Sequence, residues 1–221
     1  MLFSLQQLHS AMSDATLIGD ANICGLTTDS RKVNAGDLFV ALRGEQYDAH
    51  DFLHQVAEAG AAAVIAEHVP EGYKLPAILV RDTKLALIEV GRYWRQHFDL
   101  PVIGVTGSNG KTTVKEMISS ILAAAYGEEQ RLATVGNLNN EIGVPLTMMR
   151  LRETHRAAVI EMGMNHPGEI ALLARAAMPT VALVNNAQRE HQEFMHSIEA
   201  VAQENGAVLL ALPDDGVAVF P

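Results

Sequence analysis

From residue 102 onward the chain repeats one pattern: a short, nearly unbroken apolar run, a polar loop, then an amphipathic stretch. The runs are VIGVT, RLATV, AAVIEMG, TVALVNN and GVAVF. The stretches between them are KTTVKEMISSILAAAYG, EIGVPLTMMRL, GEIALLARAAM and SIEAVAQENGAVLLAL. Strands that are apolar on both faces belong to a parallel sheet covered by helices on both sides. Right-handed crossovers then place the loop after every strand on one edge of the sheet. That edge carries TGSNGKTT, GNLNNE, EMGMNHPGE and NNAQREHQEF, all polar, where open α/β sheets hold their ligands.

The preceding part reads as a smaller α/β unit. A helix is predicted over 1–13, capped by Ser4, with Leu5, Leu8 and Met12 on one face. ANICGLTTDS and GDLFVALRG contain strand-like runs, and AAAVIAE and PAILVRD are apolar bursts of strand length. DAHDFLHQVAEAG has helical spacing and stops at Gly60. TKLALIEVGRYWRQHF predicts a helix over 83–98 that leads out of this unit, and Pro101 marks a boundary. The expected fold class is α/β: a small N-terminal domain over 1–82, a connecting helix and linker over 83–100, and a P-loop-type parallel-sheet domain over 101–221.

Composition narrows the partners. The formal net charge is -10, which does not suit a surface that tracks a nucleic-acid backbone, so no nucleic-acid partner is expected. The one cysteine, Cys24, excludes an intramolecular disulfide and a cysteine metal cluster, and is expected to be a buried small hydrophobe. The N-terminus lacks the basic and apolar regions of a signal peptide, and no apolar run approaches a membrane span. A cytoplasmic location is expected.

The loop TGSNGKTT carries the chemistry. Gly107 and Gly110 allow a tight turn, and the helix that starts near Lys111 points its free amides and positive dipole end into the loop. Lys111 supplies a charge for phosphates and Thr112 a hydroxyl for Mg²⁺. The general P-loop pattern asks for glycine where this chain has Val105. The competing reading is a glycine turn with a solvated lysine. Glu161 ends the strand AAVIE, the place of the acidic Mg²⁺ ligand in P-loop enzymes, against the alternative of a carboxylate facing solvent. His191 follows the strand TVALVNN on the same edge, where position alone leaves a ligand and a surface residue equally open. His166 is weaker still. The other histidines lack zinc-site spacing.

GVTGSNGKTT resembles the ATP loop of the Mur ligases, ATP-dependent amide-forming enzymes of peptidoglycan precursor synthesis. That family carries a shorter Thr-Gly-x-x-Gly-Lys-Thr loop, which accounts for Val105. Three further blocks, TTDSRKVNAGDLFVALRGEQYDAHDF, GNLNNEIGVPLTMMRL and VIEMGMNHPGEI, are similar to the branch that adds D-alanyl-D-alanine to a UDP-N-acetylmuramoyl-tripeptide. The resemblance implies three domains, of which this chain would hold the first and an incomplete second, with the closing ligase domain absent and the chain alone inactive. It implies ATP and Mg²⁺ as cofactors and a monomer. By the same resemblance Thr106, Gly107, Ser108, Asn109, Gly110, Lys111, Thr112 and Thr113 bind ATP. Lys111, Glu161 and His191 serve catalysis, and Thr112, Glu161 and His191 hold metal. Ser30 and Arg31 contact the UDP moiety, while Asn137, Asn139, Asn140, Asn165 and His166 line the muramoyl-peptide path. Many members carry a carbamate-forming lysine after the histidine loop. Gln203 is aligned there, which implies a weaker second metal site. Two other readings stand beside the ligase: a P-loop ATPase of another class, and a non-catalytic fragment that binds UDP-muramoyl-peptide. No Asn-Lys-x-Asp guanine reader is present.

Overall fold

A computed structural model describes residues 1–44, 46–188 and 197–221, and the chain divides into two units, Met1–Val90 and Gly91–Pro221. In the first unit β1 (Phe3–Ser4) and α1 (Leu5–His9) are followed by β2 (Thr16–Ile18), β3 (Asn22–Ile23), β4 (Gly25–Thr27) and β5 (Asp37–Val40). Then come α2 (Leu53–Glu58), β6 (Ala63–Ala66), β7 (Ala77–Leu79) and α3 (Thr83–Arg95), whose residues from Gly91 onward belong to the second unit. The sheet order is β2-β7-β6-β5-β4, parallel except for β2. β5 and β6 are buried along their whole length, and Phe39 and Val64 pack with Leu53 and Val56 of α2. Gly60 ends this helical segment with φ 95°, a conformation that only glycine adopts cheaply.

Two expectations change here. The helix predicted over 1–13 is confined to Leu5–His9, because residues 3 and 4 pair with Ile23 and Asn22 as strand. Ser4 still caps it, in a reciprocal box with Gln7. Cys24 is exposed rather than buried. Ile23 takes the inward position, and strand alternation turns the next side chain outward.

The second unit continues through β8 (Val102–Thr106), α4 (Lys111–Tyr126), β9 (Arg131–Ala133), α5 (Gly143–Met148) and β10 (Ala157–Glu161). It ends with α6 (Glu169–Ala177), β11 (Val181–Val184), α7 (Ile198–Gly206) and β12 (Val217–Val219). All five strands are parallel, in the order β12-β11-β8-β10-β9. The chain starts in the middle of the sheet, moves to one side, and returns across β8 to the other. The loop after β8 therefore lies at the topological switch point, between the ends of β10 and β11. Val105 and Val159 form a core under α4 with Val114, Ile118 and Leu122. Gly104 lets the opposite face close up, since a Cβ there would lie 3.1 Å from Met162 Cε and 3.2 Å from Val208 Cγ2.

The end of α3 is tied into this unit. Trp94 Nε1 donates to the Leu151 carbonyl (3.2 Å). The buried Arg95 guanidinium donates to the carbonyls of Phe98, Leu100, Ala177 and Met178. Burial lowers its pKa, partly opposed by Asp99. Its charge faces the carbonyl end of α6, where a cation is favoured.

Candidate active site

β8 ends at Thr106, and the chain turns into α4 through Gly107 (φ 132°) and Gly110 (φ 75°). The backbone is left-handed at both positions, so a side chain would be strained. α4 begins at Lys111, and its first-turn amides have no acceptor within the helix. Lys111 Nζ folds back and donates to the Gly107 carbonyl at 2.6 Å and the Ser108 carbonyl at 3.4 Å.

Glu161 closes β10 beside this helix start. It is 2% exposed, and its amide donates to Thr134 Oγ1 (3.0 Å). Its Oε1 accepts from Thr112 Oγ1 at 3.2 Å and from Asn139 Nδ2 at 2.8 Å. Its Oε2 is buried and has no hydrogen-bond partner. A buried carboxylate oxygen without a donor is costly unless something electropositive completes it. Oε2 and the Thr112 hydroxyl are hard oxygen donors of the kind Mg²⁺ takes, and one or two protein oxygens suffice when phosphates and water fill the rest. The residues present fit the metal.

The remaining predicted positions of this unit divide. Asn139 is brought against Glu161. Asn137 is exposed. Asn140 Oδ1 accepts from the amides of Ile142 and Gly143 (3.3 and 2.8 Å), so that carboxamide is engaged in starting α5. Asn165 and His166 lie in the loop after β10 and donate their amides to Glu169 Oε2. Burial opposes the Glu169 charge, but these amides and the His166 ring together hold the pKa below the ordinary value. His191 lies outside the described residues. Gln203 is exposed on α7. The α7 side chain that faces the loop is Asn205, 1% exposed, whose Oδ1 accepts from the Gly107 amide (2.7 Å). Gln203 lies two residues before Asn205 on the same helix. Asn205, Asn185 and Asn186 escaped the sequence reading, and their partners are described below.

In the first unit Ser30 and Arg31 follow β4. They line a pocket of about 260 Å³ with Thr28, Asp29, Tyr47 and Phe52. Arg31 grips Asp29 with two hydrogen bonds, Nε to Oδ1 (2.9 Å) and Nη2 to Oδ2 (3.0 Å). That pairing holds the Asp29 carboxyl well below the usual carboxylate range. Between the lining residues Tyr47 and Ala49, Asp48 accepts from Arg43 and His50, and the His50 amide holds its pKa down.

The central strand, the compact glycine loop and the carboxylate on the neighbouring strand define a P-loop-type α/β protein. Known proteins place it further. Residues 105–221, more than half the chain, match the Mur ligase middle domain, and residues 22–90 match the Mur ligase family catalytic domain. The chain belongs to the Mur ligase family. It is 42% identical over 217 residues to UDP-N-acetylmuramoyl-tripeptide–D-alanyl-D-alanine ligase of Escherichia coli (strain K12), covering 98% of this chain and 47% of that protein. The crystal structure of MurF from Acinetobacter baumannii superposes with a TM-score of 0.88 at 37% identity, covering 98% of this chain and 48% of that one. The MurF ligase of Thermotoga maritima, solved in complex with ADP, gives a TM-score of 0.82 at 32% identity over 90% of this chain and 45% of that one. The chain spans about half the length of the curated relatives it matches.

Proposed function

We propose that this chain forms the UDP-substrate-binding and ATP-binding parts of a ligase that joins D-alanyl-D-alanine to UDP-N-acetylmuramoyl-tripeptide through an acyl phosphate. One observation carries the reading: a buried carboxylate with an unpartnered oxygen, hydrogen-bonded to Thr112 at the head of α4. The relatives named above supply the substrates. The domain division follows the same lines: residues 1–82 for the UDP moiety, 83–100 connecting, and 101–221 for ATP.

The chemistry demands alignment and neutralisation of clustered negative charge. The terminal carboxylate of the tripeptide attacks the γ-phosphorus of ATP, and ADP leaves. The amine of D-alanyl-D-alanine then attacks the acyl carbon, phosphate leaves, and the nitrogen loses a proton. The dipole and free amides of α4 attract the phosphates. Lys111 exchanges its two loop carbonyls for phosphoryl oxygens and carries the positive charge that follows the transferred group. Thr112 and Glu161 would hold Mg²⁺, which neutralises phosphate charge when bound. Asn139 fixes the Glu161 carboxylate from the other side. His191 is proposed as a further metal ligand. Asn137, Asn165 and His166 would line the muramoyl-peptide path, with the Asn140 carboxamide held at the start of α5. Arg31 is suited to the diphosphate of UDP, because a guanidinium pairs with phosphate as it does with Asp29.

No helix among the described residues is long and apolar enough to cross a membrane. We place the protein in the cytoplasm as a monomer, with its water-soluble nucleotide substrates.

Calorimetric titration tests the site. MgADP is expected to bind the chain, with affinity falling at least about tenfold in Lys111→Ala and Glu161→Gln, each of which removes a charged partner. UDP-N-acetylmuramoyl-tripeptide is expected to raise the melting temperature, and Arg31→Ala to diminish that shift. A chain indifferent to both ligands would overturn the reading.

A further inference from the structure

Three consecutive amides of the phosphate loop are engaged before any nucleotide arrives. Gly107 donates to Asn205 Oδ1 (2.7 Å), Ser108 to the Asn186 carbonyl (3.1 Å), and Asn109 to Asn186 Oδ1 (2.9 Å). The Asn109 carbonyl accepts from Asn186 Nδ2 (2.9 Å) and from Asn185 Nδ2 (2.7 Å). A single carboxamide on Asn186 thus pairs with both the amide and the carbonyl of residue 109, as a neighbouring strand would. Asparagine and glutamine carry a donor and an acceptor side by side on one planar, uncharged carboxamide, which matches that pair. Asn205 closes the other end: its own carbonyl accepts from Thr106 Oγ1 (3.0 Å), and its Nδ2 donates to the Val201 carbonyl (3.1 Å).

The loop glycines are shaped to this grip. A Cβ on Gly107 would sit 3.0 Å from both Asn185 Cβ and the Asn186 amide nitrogen, and one on Gly110 3.0 Å from Asn185 Nδ2. The close approach that needs glycine here is therefore an approach of protein to protein. The donors left over are Lys111 and the first-turn amides of α4.

We propose that Asn186 and Asn205 are positioning residues of the phosphate site. They hold residues 107–109 with their amides turned into the protein and leave phosphate recognition to Lys111 and the start of α4. The clamp is neutral, so it fixes the loop without cancelling the positive field of that helix end. An aspartate at 205 would still accept from Gly107 but would set a negative charge beside the phosphates. This inference rests on the ATP-site reading given above.

Amide hydrogen exchange by NMR and MgADP calorimetry on the full 221-residue chain decide it. The Gly107 and Asn109 amides are expected to be protected without nucleotide and to change little on MgADP addition. Asn186→Ala should speed Asn109 exchange, and Asn205→Ala that of Gly107. Each should weaken MgADP about tenfold, the scale of losing one good hydrogen bond. Asn186→Gln should recover part of the affinity. Asn205→Asp should keep the Gly107 protection and still bind MgADP weakly, a split that a merely structural role would not produce. Protection of these amides that develops only with MgADP would overturn the proposal, as would alanine variants with unchanged affinity. Failure of the parent chain to bind MgADP would strike the ATP-site reading instead. Exchange at Gly107 and Asn109 in the two alanine variants would then still decide the clamp.

Discussion

Around Gly107–Gly110 the backbone is fixed by carboxamide hydrogen bonds and by contacts too close for a Cβ. Around Asp29–Arg31 it is fixed by a bidentate ion pair whose arginine side chain is 82% exposed. Both loops sit at the carboxyl ends of parallel strands and both are proposed to meet phosphate. Neutral hydrogen bonds, buried at Gly107 and exposed at Asn109, carry no charge for salt or pH near neutrality to act on, whereas an exposed ion pair is screened by salt and discharged in acid. The first loop is built to keep its shape, and the second can release its cation to a ligand.

The sharpest way to break the first loop is to give it a side chain. Gly107→Ala is expected to cost about 3 kcal/mol, from the left-handed backbone and the contact with Asn186, and to abolish MgADP binding. Urea unfolding followed by the fluorescence of Trp94, the single tryptophan, measures it. Glu161→Gln should act in the opposite direction on stability. It should raise that of the nucleotide-free chain by about 1 kcal/mol, because a buried charge is exchanged for a neutral carboxamide whose nitrogen takes the unpartnered position. The same variant should lose most of the tightening that Mg²⁺ gives to ADP binding. Equal melting curves for variant and parent, with Mg²⁺ dependence intact, would remove Glu161 from the metal site.

Salt separates the two loops directly. At ~1 M NaCl the Debye length shrinks to about 3 Å. NMR should then show the Arg31 side chain loosened from Asp29 while exchange at Gly107 and Asn109 is unchanged. The smallest effect is in acid. The Asp29 carboxyl is held below its ordinary value in the folded state, so its contribution is complete above the ordinary carboxylate range and drains away as pH falls through the lowered value. A carboxyl titration should find Asp29 still ionised where unpaired aspartates are already protonated. An ordinary Asp29 titration would erase the contrast between the loops.

Much of the second unit could be read from the sequence, because strands buried on both faces betray themselves as apolar runs and a phosphate loop has fixed spacing. Lys111, Thr112 and Glu161 all follow from those two signals, and they meet at the head of α4 as the pattern requires. Asn205 follows from neither. Its partner in the loop is 98 residues away, and nothing local distinguishes it from a poor helix former on a surface. The one cue is that mid-helix asparagines are disfavoured unless the side chain has work to do. Gln203, aligned with the family's lysine by resemblance, is displaced about 200° around the helix from Asn205 and is exposed. The N-terminal helix failed for a different reason. Strand pairing with residues 22 and 23 took its first residues, and such pairing is invisible to helical periodicity.

The Arg95 guanidinium, described above as a tie for helix ends, also sets a clock. Its hydrogen bond to Ala177 closes a span of 82 residues, so it can form only after the strands between have found their places. Contacts that arrive after the folding barrier do little to hasten folding but slow the way back. Arg95 is therefore a brake on opening: without it the unit should assemble at nearly the same speed and last a much shorter time.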